Sequence, residues 1–124
     1  MIDFDAATFV KLGEIDPKEG FALVEPMLIA DETIFAAFKS VRDHIVFTNK
    51  RVIAVNVEGL TGKKRDYTSL PYSKIQAWSA QTASLLGFDT EMVLWFAGLG
   101  QAKFEFKGKF DVTTFNQLVG SYIL

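Results

Sequence analysis

Three extended apolar runs in the middle of the chain follow one another so closely that they restrict the fold more than any other feature. Residues 33–39, 44–48 and 51–57 read TIFAAFK, HIVFT and RVIAVNV, and only residues 40–43 and 49–50 separate them. Links this short join antiparallel neighbours, because a parallel pair of strands needs a crossover of about a dozen residues or more. The sequence therefore predicts an antiparallel meander.

Four more runs with the composition of strands follow, and they comprise residues 66–70, 73–83, 91–97 and 102–108. In the last run, Phe104 and Phe106 alternate with charged residues, which is typical of a strand that buries one face. The run EMVLWFA is apolar at successive positions and predicts a strand covered on both faces. The sequence predicts seven strands in all.

The segment 1–28 carries helix signals instead. Asp5 is placed to cap a short helix that runs to about Leu12. Residues 16–19, DPKE, have the form of a capping box with proline in the first turn, and Pro26 would end this second helix. We therefore expect a short helical N-terminal segment.

A C-terminal helix is predicted after Asp111, which can serve as its N-cap. Apolar residues then recur at helical spacing, at Val112, Phe115, Leu118, Val119, Tyr122 and Ile123. The predicted fold is mainly β: seven antiparallel strands in a partly open barrel or two packed sheets, with this helix covering an open edge or end. These elements would form a domain over residues 29–124, on which the segment 1–28 packs.

Composition limits the chain to one domain and excludes several kinds of chemistry. A chain of 124 residues buries a single core, and its twelve phenylalanines indicate that aromatic rings fill much of it. Without cysteine there is no disulfide, no thiolate nucleophile and no cysteine-ligated metal. No apolar run approaches the ~18 residues of a membrane span, and the start MIDFD is acidic where a secretory signal is basic. We expect a cytoplasmic protein.

The charge is unevenly distributed along the chain. The formal net charge of -2 combines -6 over residues 1–32, +5 over residues 33–74 and -1 over residues 75–124. Such an asymmetry attracts an anion locally, or it lets the acidic and basic parts pair within one subunit or between subunits.

Five cations are predicted to gather at one end of the meander. Successive hairpin turns alternate between the two ends of a sheet, so the links at residues 40–43 and 58–65 share one end. We call the cations at this end the basic rim, and its members are Lys39, Arg42, Lys63, Lys64 and Arg65. The rim is the candidate ligand-binding site, suited to an anionic headgroup, a phosphate or an acidic surface. The alternative is a solvated or interface loop, since charge runs are most often solubilising.

No catalytic, cofactor or metal site is predicted. The one histidine, His44, begins a strand, and without cysteine a transition metal would have only this residue and carboxylates as ligands. Close carboxylate pairs fit capping, turn and solvation roles, and these pairs are Asp3 with Asp5, Asp31 with Glu32, and Asp89 with Glu91. We expect no enzyme activity.

The loop at residues 59–64, GLTGKK, superficially resembles a phosphate-binding loop. It fails the pattern, because Val57 stands where the first glycine is needed and Lys64 stands where serine or threonine is needed. The loop also joins two predicted strands rather than a strand and a helix. It does not support nucleotide binding.

The wording of two segments resembles the bacterial pleckstrin-homology (PH)-like domains, a family formerly described as a domain of unknown function. These segments are FTNKRVIAVN and GKKRDYTSLPYSKI, followed by a strand that reaches Trp78 and by the acidic DTEM. The resemblance covers about residues 30–124 and lies in strands and turns, not in a catalytic motif. It implies a seven-stranded antiparallel fold with a C-terminal helix, and ring-shaped homo-oligomers with a fivefold ring as the expected assembly.

In eukaryotic PH domains, loops that correspond to the basic rim bind lipid headgroups. This chain departs from that lipid-binding pattern, because Asp43 and His44 stand where basic residues would continue into the second strand. The resemblance therefore favours the anionic-ligand hypothesis less than it favours self-association.

The leading hypothesis is a non-enzymatic module that self-associates as a scaffold or adaptor. Apolar residues that one small domain cannot bury would form the contact surface. The candidates are Tyr72, Trp78, Phe88, Trp95 and Phe96. The alternative for each of them is a place in the core. The alternatives are an anionic ligand or peripheral anionic membrane contact at the basic rim, and capture of a peptide from another protein beside the C-terminal helix. Nucleic acid is not expected, given a pI near 5.3.

Overall fold

Eight strands and two α-helices make up most of the chain that the computed structural model describes, which is residues 2–4, 7–60, 63–81, 90–108 and 111–124. The strands are β1 (Ala7–Ile15), β2 (Ile34–Lys39), β3 (His44–Thr48), β4 (Arg51–Glu58), β5 (Lys64–Pro71), β6 (Ile75–Gln81), β7 (Thr90–Phe96) and β8 (Gly100–Phe106). The helices are α1 (Pro17–Val24) and α2 (Val112–Ile123), and short 3₁₀ helices span Glu25–Met27 and Tyr72–Lys74. The chain divides into two units, one containing Glu14–Pro71 and the other containing Asp3–Gly13 and Tyr72–Leu124.

The first unit is the predicted meander. Strands β2, β3, β4 and β5 pair in sequence order, and each pair is antiparallel. Helix α1 packs on one face of β2 and β3, where Val24 joins a cluster of buried residues that also contains Ala37, Val46, Ile53 and Val55. The antiparallel meander predicted from the short links is confirmed, and buried residues at successive positions of β3 and β4 show that both of its faces are covered.

Helix α1 begins where the sequence predicts. The Asp16 carboxylate accepts a hydrogen bond from the Lys18 backbone N–H at 2.9 Å, and Pro17 occupies the first turn. Gly20 allows the helix to approach the sheet closely, since a Cβ added there would lie 2.8 Å from the Ala37 Cβ.

The predicted first helix is wrong, because residues Ala7–Ile15 form strand β1. The helix was predicted from Asp5 as its cap, whereas in the structure Phe9 and Leu12 are both buried and stand three residues apart on the strand. In the structure a bulge produces this spacing: Phe9 pairs with Phe104 and Leu12 with Phe106, so one extra residue stands on β1 between two inward-facing positions. The expected cap, Asp5, lies outside the described residues.

The second unit pairs its strands in the order β1, β8, β7, β6. Strands β6, β7 and β8 are antiparallel, as predicted, whereas β1 pairs with β8 in parallel and departs from the predicted arrangement. The seven predicted strands correspond to β2–β8, and β1 is the eighth; the last two residues of the run predicted at 73–83 lie outside the described residues.

Helix α2 confirms the predicted docked C-terminal helix. The Asp111 carboxylate caps it by accepting a hydrogen bond from the Thr114 N–H at 3.0 Å. Phe115 is 5% exposed, and its ring lies edge-on to that of Phe106, with centroids 5.9 Å apart. The helix packs against β6, where the Trp78 indole N–H donates to the Asn116 side-chain oxygen at 2.7 Å.

Candidate functional site

The structure brings together the two links that were predicted to carry the basic rim. The Arg42 guanidinium, in the link after β2, donates a hydrogen bond of 2.8 Å to the Gly59 carbonyl, in the link after β4. All five rim side chains are exposed. The predicted position of the rim at one end of the meander is therefore confirmed, while its binding role stays a prediction.

Strand register divides the rim between two faces of the sheet. Lys39 on β2 pairs with His44 on β3, and Arg65 on β5 pairs with Val57 on β4, the strand next to β3. The alternation of side chains along each strand places Lys39, His44 and Arg65 on the face covered by α1. Lys64 lies on the opposite face, with its ammonium 3.9 Å from the Glu58 carboxylate. The three consecutive cations therefore cannot act on one ligand from a single face.

His44 sits partly buried among these charges. Burial lowers its pKa below the ordinary value, and the neighbouring charges of Lys39 and Arg65 lower that pKa further, against the opposing effect of Asp43 and Glu19. Its Nδ1 atom is buried and has no hydrogen-bond partner in the part of the chain that the structure describes. The imidazole is therefore neutral near pH 7, and the positive field at this face comes from the two longer cations.

The turn that carries the TNKR wording has a structural role that sequence reasoning missed. The Glu32 carboxylate, fully buried at its side chain, accepts hydrogen bonds from both Nε and Nη2 of Arg51 at 2.9 Å and from the Thr48 hydroxyl at 2.7 Å. We call Glu32, Thr48 and Arg51 the Glu32 cluster. Asn49 supports the same turn by accepting from the Thr33 N–H at 2.8 Å. These residues hold the segment before β2 in place.

The pKa of Glu32 reflects these contacts. Burial acts to raise the pKa, but the hydrogen bonds from Arg51, Thr48 and the Ile29 backbone outweigh it, and the pKa is held below its usual value of 4.5. A buried carboxylate paired in this way was predicted as an ordinary turn residue. The signal that could have revealed it is an arginine at the start of a strand within reach of an upstream acid.

Strand β6 lies at one edge of the sheet. Among the described residues, β7 is the one strand that pairs with it through hydrogen bonds. Its sequence, IQAWSAQ, contains no charge and no proline. Ala77, Ser79 and Gln81 are exposed, whereas Trp78 is partly covered by α2. No other described strand pairs with the free edge of β6, and the strand lacks the charge or proline with which natural proteins usually block such an edge.

One of the predicted contact residues is exposed beside that edge. Trp95 is 37% exposed and pairs with Ala77 across β7 and β6. Tyr72 and Phe96 are buried instead, Trp78 is partly buried, and Phe88 lies outside the described residues. The prediction of an exposed aromatic surface thus holds for one residue of the four that can be compared.

The described residues provide no obvious metal site, since nowhere do three or more His, Cys, Asp or Glu side chains converge. Within the same residues, neither helix is long and apolar enough to cross a membrane. Asp89, one of the paired acids noted in the sequence, lies outside the described residues.

Comparisons with known proteins match different shares of the chain. A family model described as "Bacterial PH domain" matches residues 3–123. The uncharacterized protein YjqA of Bacillus subtilis is 46% identical over 72 residues, and the uncharacterized protein YozO of the same organism is 34% identical over 71 residues. These matches span 58% of this chain and 58% of YjqA, and 57% of this chain and 61% of YozO.

Solved structures extend the similarity to nearly the full length. A DUF1696 family protein with a pleckstrin-homology domain from Shewanella loihica is 30% identical with a TM-score of 0.75, covering 93% of this chain and 99% of that one. A pleckstrin homology domain from Shewanella amazonensis is 35% identical with a TM-score of 0.66, covering 90% and 91%. A PH-domain-containing protein from Exiguobacterium sibiricum, 20% identical with a TM-score of 0.60, shares the fold over 90% of this chain and 58% of its own.

Proposed function

This chain belongs to the bacterial PH domain family, and from that premise we propose that it is a non-enzymatic cytoplasmic module that self-associates through strand β6 as a scaffold. The family resemblance inferred from the sequence is confirmed, as is the mainly β, PH-like fold. The observation that carries the proposal is the free edge of β6, a strand that contains no charged residue and pairs with β7 alone among the described strands. Its partner is a second copy of the same chain.

An open strand edge presents a row of backbone N–H and C=O groups that another strand can pair with. The exposed residues of β6 are small or uncharged, so they allow a second backbone to approach without burying a charge. Trp95 lies beside Ala77 and adds the kind of aromatic side chain that is enriched in interface cores. These features support strand addition at this edge.

The symmetry of the contact decides the size of the assembly. Pairing of β6 with β6 of a second copy is isologous and closes a dimer, whereas pairing of β6 with a different edge, such as β5, is heterologous and builds a ring. The fivefold ring expected from the family resemblance requires the second arrangement. Peptide addition beside α2 would use the same edge, because α2 packs against β6.

Placing lysine at both Ala77 and Ser79 is expected to abolish self-association, because each protomer would then bring two charges to the paired edge. Light scattering on a sizing column should give a multiple of 13.8 kDa for the wild type and the protomer mass for this variant. The matched control places lysine at both Thr8 and Val10, two exposed positions on the interior strand β1, and so adds the same charge away from the edge of β6. A wild type that remains at the protomer mass at every concentration would remove the scaffold proposal.

A second candidate function is contact with an anionic surface through Lys39 and Arg65. The observation that favours it is their position on one sheet face beside His44. This pair is a smaller site than the five-residue rim predicted from the sequence. It would provide a weak, salt-dependent attraction to an anionic membrane, since each cation near such a surface contributes about 1 kcal/mol.

Exchange of both Lys39 and Arg65 for glutamate is expected to abolish sedimentation of the protein with vesicles that contain phosphatidylserine. The control variant exchanges Lys64 and Lys74 for glutamate, which changes the net charge equally at other exposed positions. Equal losses from both variants would indicate net charge rather than a site. If the wild type does not sediment at all, the membrane hypothesis is excluded.

A further inference from the structure

Five large hydrophobic side chains of the first unit are exposed in the part of the chain that the structure describes, and they lie at two places. Val41 and Leu60 lie in the two links that carry the basic rim, whereas Phe21, Met27 and Ile29 lie on α1 or within a few residues of its end. Single exposed apolar residues are ordinary, but groups of them mark sites of contact. Each of the two places is therefore a candidate contact surface.

The first group lies among the cations of the basic rim. Val41 is 97% exposed and Leu60 is fully exposed, so little of either side chain is covered by its own subunit. The hydrogen bond from Arg42 to the Gly59 carbonyl joins the two links, because Arg42 follows Val41 and Gly59 precedes Leu60. The rim thus presents two neighbouring apolar side chains, which we call the rim tips.

The second group surrounds a groove beside α1. The groove has a volume of about 300 Å³, and its apolar lining comes from Pro17 and Phe21 of the helix and from Leu28 and Ile34. Met27 and Ile29 are the two neighbours of Leu28 in the chain. A dry protein cavity of about 150 Å³ accepts a benzene ring, so this groove, which we call the α1 groove, has room for aliphatic side chains.

The charges around the two places are opposite in sign. Residues 14–32, which include α1 and most of the groove lining, contain six acids and one lysine, a net charge of -5. Adding Lys50 and Arg51 from the turn next to Glu32 leaves -3. Residues 39–43 and 58–65, which carry the rim, contain five cations and two acids, a net charge of +3. The rim is therefore complementary to the groove in charge as well as in its apolar side chains.

The rim tips cannot enter the groove of their own chain, because the two places lie at opposite ends of the meander. Strand β2 begins at Ile34, in the lining of the groove, and ends at Lys39, in the rim. A strand of this length spans about 20 Å. Val41 follows Lys39 by two residues and cannot return over that distance. An occupant with the properties of the rim must therefore come from a second molecule.

We propose that the rim tips of one copy occupy the α1 groove of a second copy. Val41 and Leu60 leave water on contact, which favours association, and the opposite charges around them orient the two copies. The contact is head-to-tail, because each copy contributes a different surface, and it extends into a filament or closes into a ring. All the residues that it needs lie in the first unit, so it goes beyond the pairing of β6 proposed above.

The test uses a background protein in which lysine replaces both Ala77 and Ser79, so that pairing of β6 does not contribute. Few side chains make the contact, and we expect a Kd of roughly 0.1–1 mM, which is too weak to be seen on a sizing column. Analytical ultracentrifugation should give the protomer mass of 13.8 kDa at micromolar concentration and a larger mass as the concentration approaches the Kd. The result does not depend on whether β6 pairs in the wild type.

Two double variants in this background each alter one surface. Val41→Ser with Leu60→Ser removes the rim tips, and Phe21→Ser with Ile29→Ser removes exposed apolar side chains at the groove. Each variant alone is expected to associate at least about tenfold more weakly, because apolar burial is lost. An equimolar mixture of the two should form a heterodimer and nothing larger, since each partner retains one intact surface.

The matched control is Val10→Ser with Leu99→Ser, which exchanges two exposed hydrophobic residues of the second unit. It should associate as strongly as the background protein. Three results would overturn the proposal: no increase in the mass of the background protein up to millimolar concentration, an equal loss of association in the control, or a mixture of the two surface variants that remains at the protomer mass.

Discussion

Arg51→Ala is expected to lower the free energy of unfolding by about 3–5 kcal/mol, the range measured when one partner of a buried ion pair is removed. The substitution leaves the Glu32 carboxylate buried without its two guanidinium hydrogen bonds. It also removes the bond from Arg51 to the Ser69 hydroxyl at 2.9 Å. Urea unfolding monitored by tryptophan fluorescence measures the change.

Lys50→Ala provides the matched control, because this exposed residue precedes Arg51 in the same turn and should change stability by about 0.5 kcal/mol or less. The cluster also predicts a pH dependence. Because the folded pKa of Glu32 is lowered, its contribution is complete above pH 4.5 and is lost as the pH falls through the folded pKa. Arg51→Ala should therefore unfold in acid at a higher pH than the wild type. Equal acid midpoints for the two proteins would contradict the assigned role.

Phe115→Ala is expected to cost about 3–5 kcal/mol of unfolding free energy, because it removes a buried aromatic ring and leaves a cavity. The lost contacts include the edge-on packing against Phe106. Leu118→Ala, on the same helix but 42% exposed, should cost less than about 1 kcal/mol. A thermal melt of Phe115→Ala that matches the wild type would mean that α2 is not docked as the structure shows.

The parts of the fold that were predicted correctly depend on local patterns. Short links and alternating apolar residues are properties of neighbouring positions, and they were enough to predict β2–β8. Asp111 and Asp16 identified both helix starts, because capping is also a local interaction. The error at β1 arose because the prediction relied on Asp5 as a helix cap, and the pairing that makes this segment a strand involves β8, which is remote in sequence.

The sites were predicted less well, because they depend on which side chains share a face. Lys63, Lys64 and Arg65 were treated as one cluster, although strand alternation alone places Lys64 and Arg65 on opposite faces. The burial of Glu32 depends on the path of the segment before β2, which local pattern does not specify.

The parallel pairing of β1 has a consequence for the order of folding. Ala7 pairs with Ala102, whereas the strands of the first unit pair with immediate neighbours in sequence. Contacts between such distant positions form slowly, because a long loop must close before they stabilise anything. On the ribosome, β1 emerges early and cannot pair with β8 until Phe106 has left the exit tunnel. The meander can complete its hairpins during synthesis, while the second unit must wait for β8.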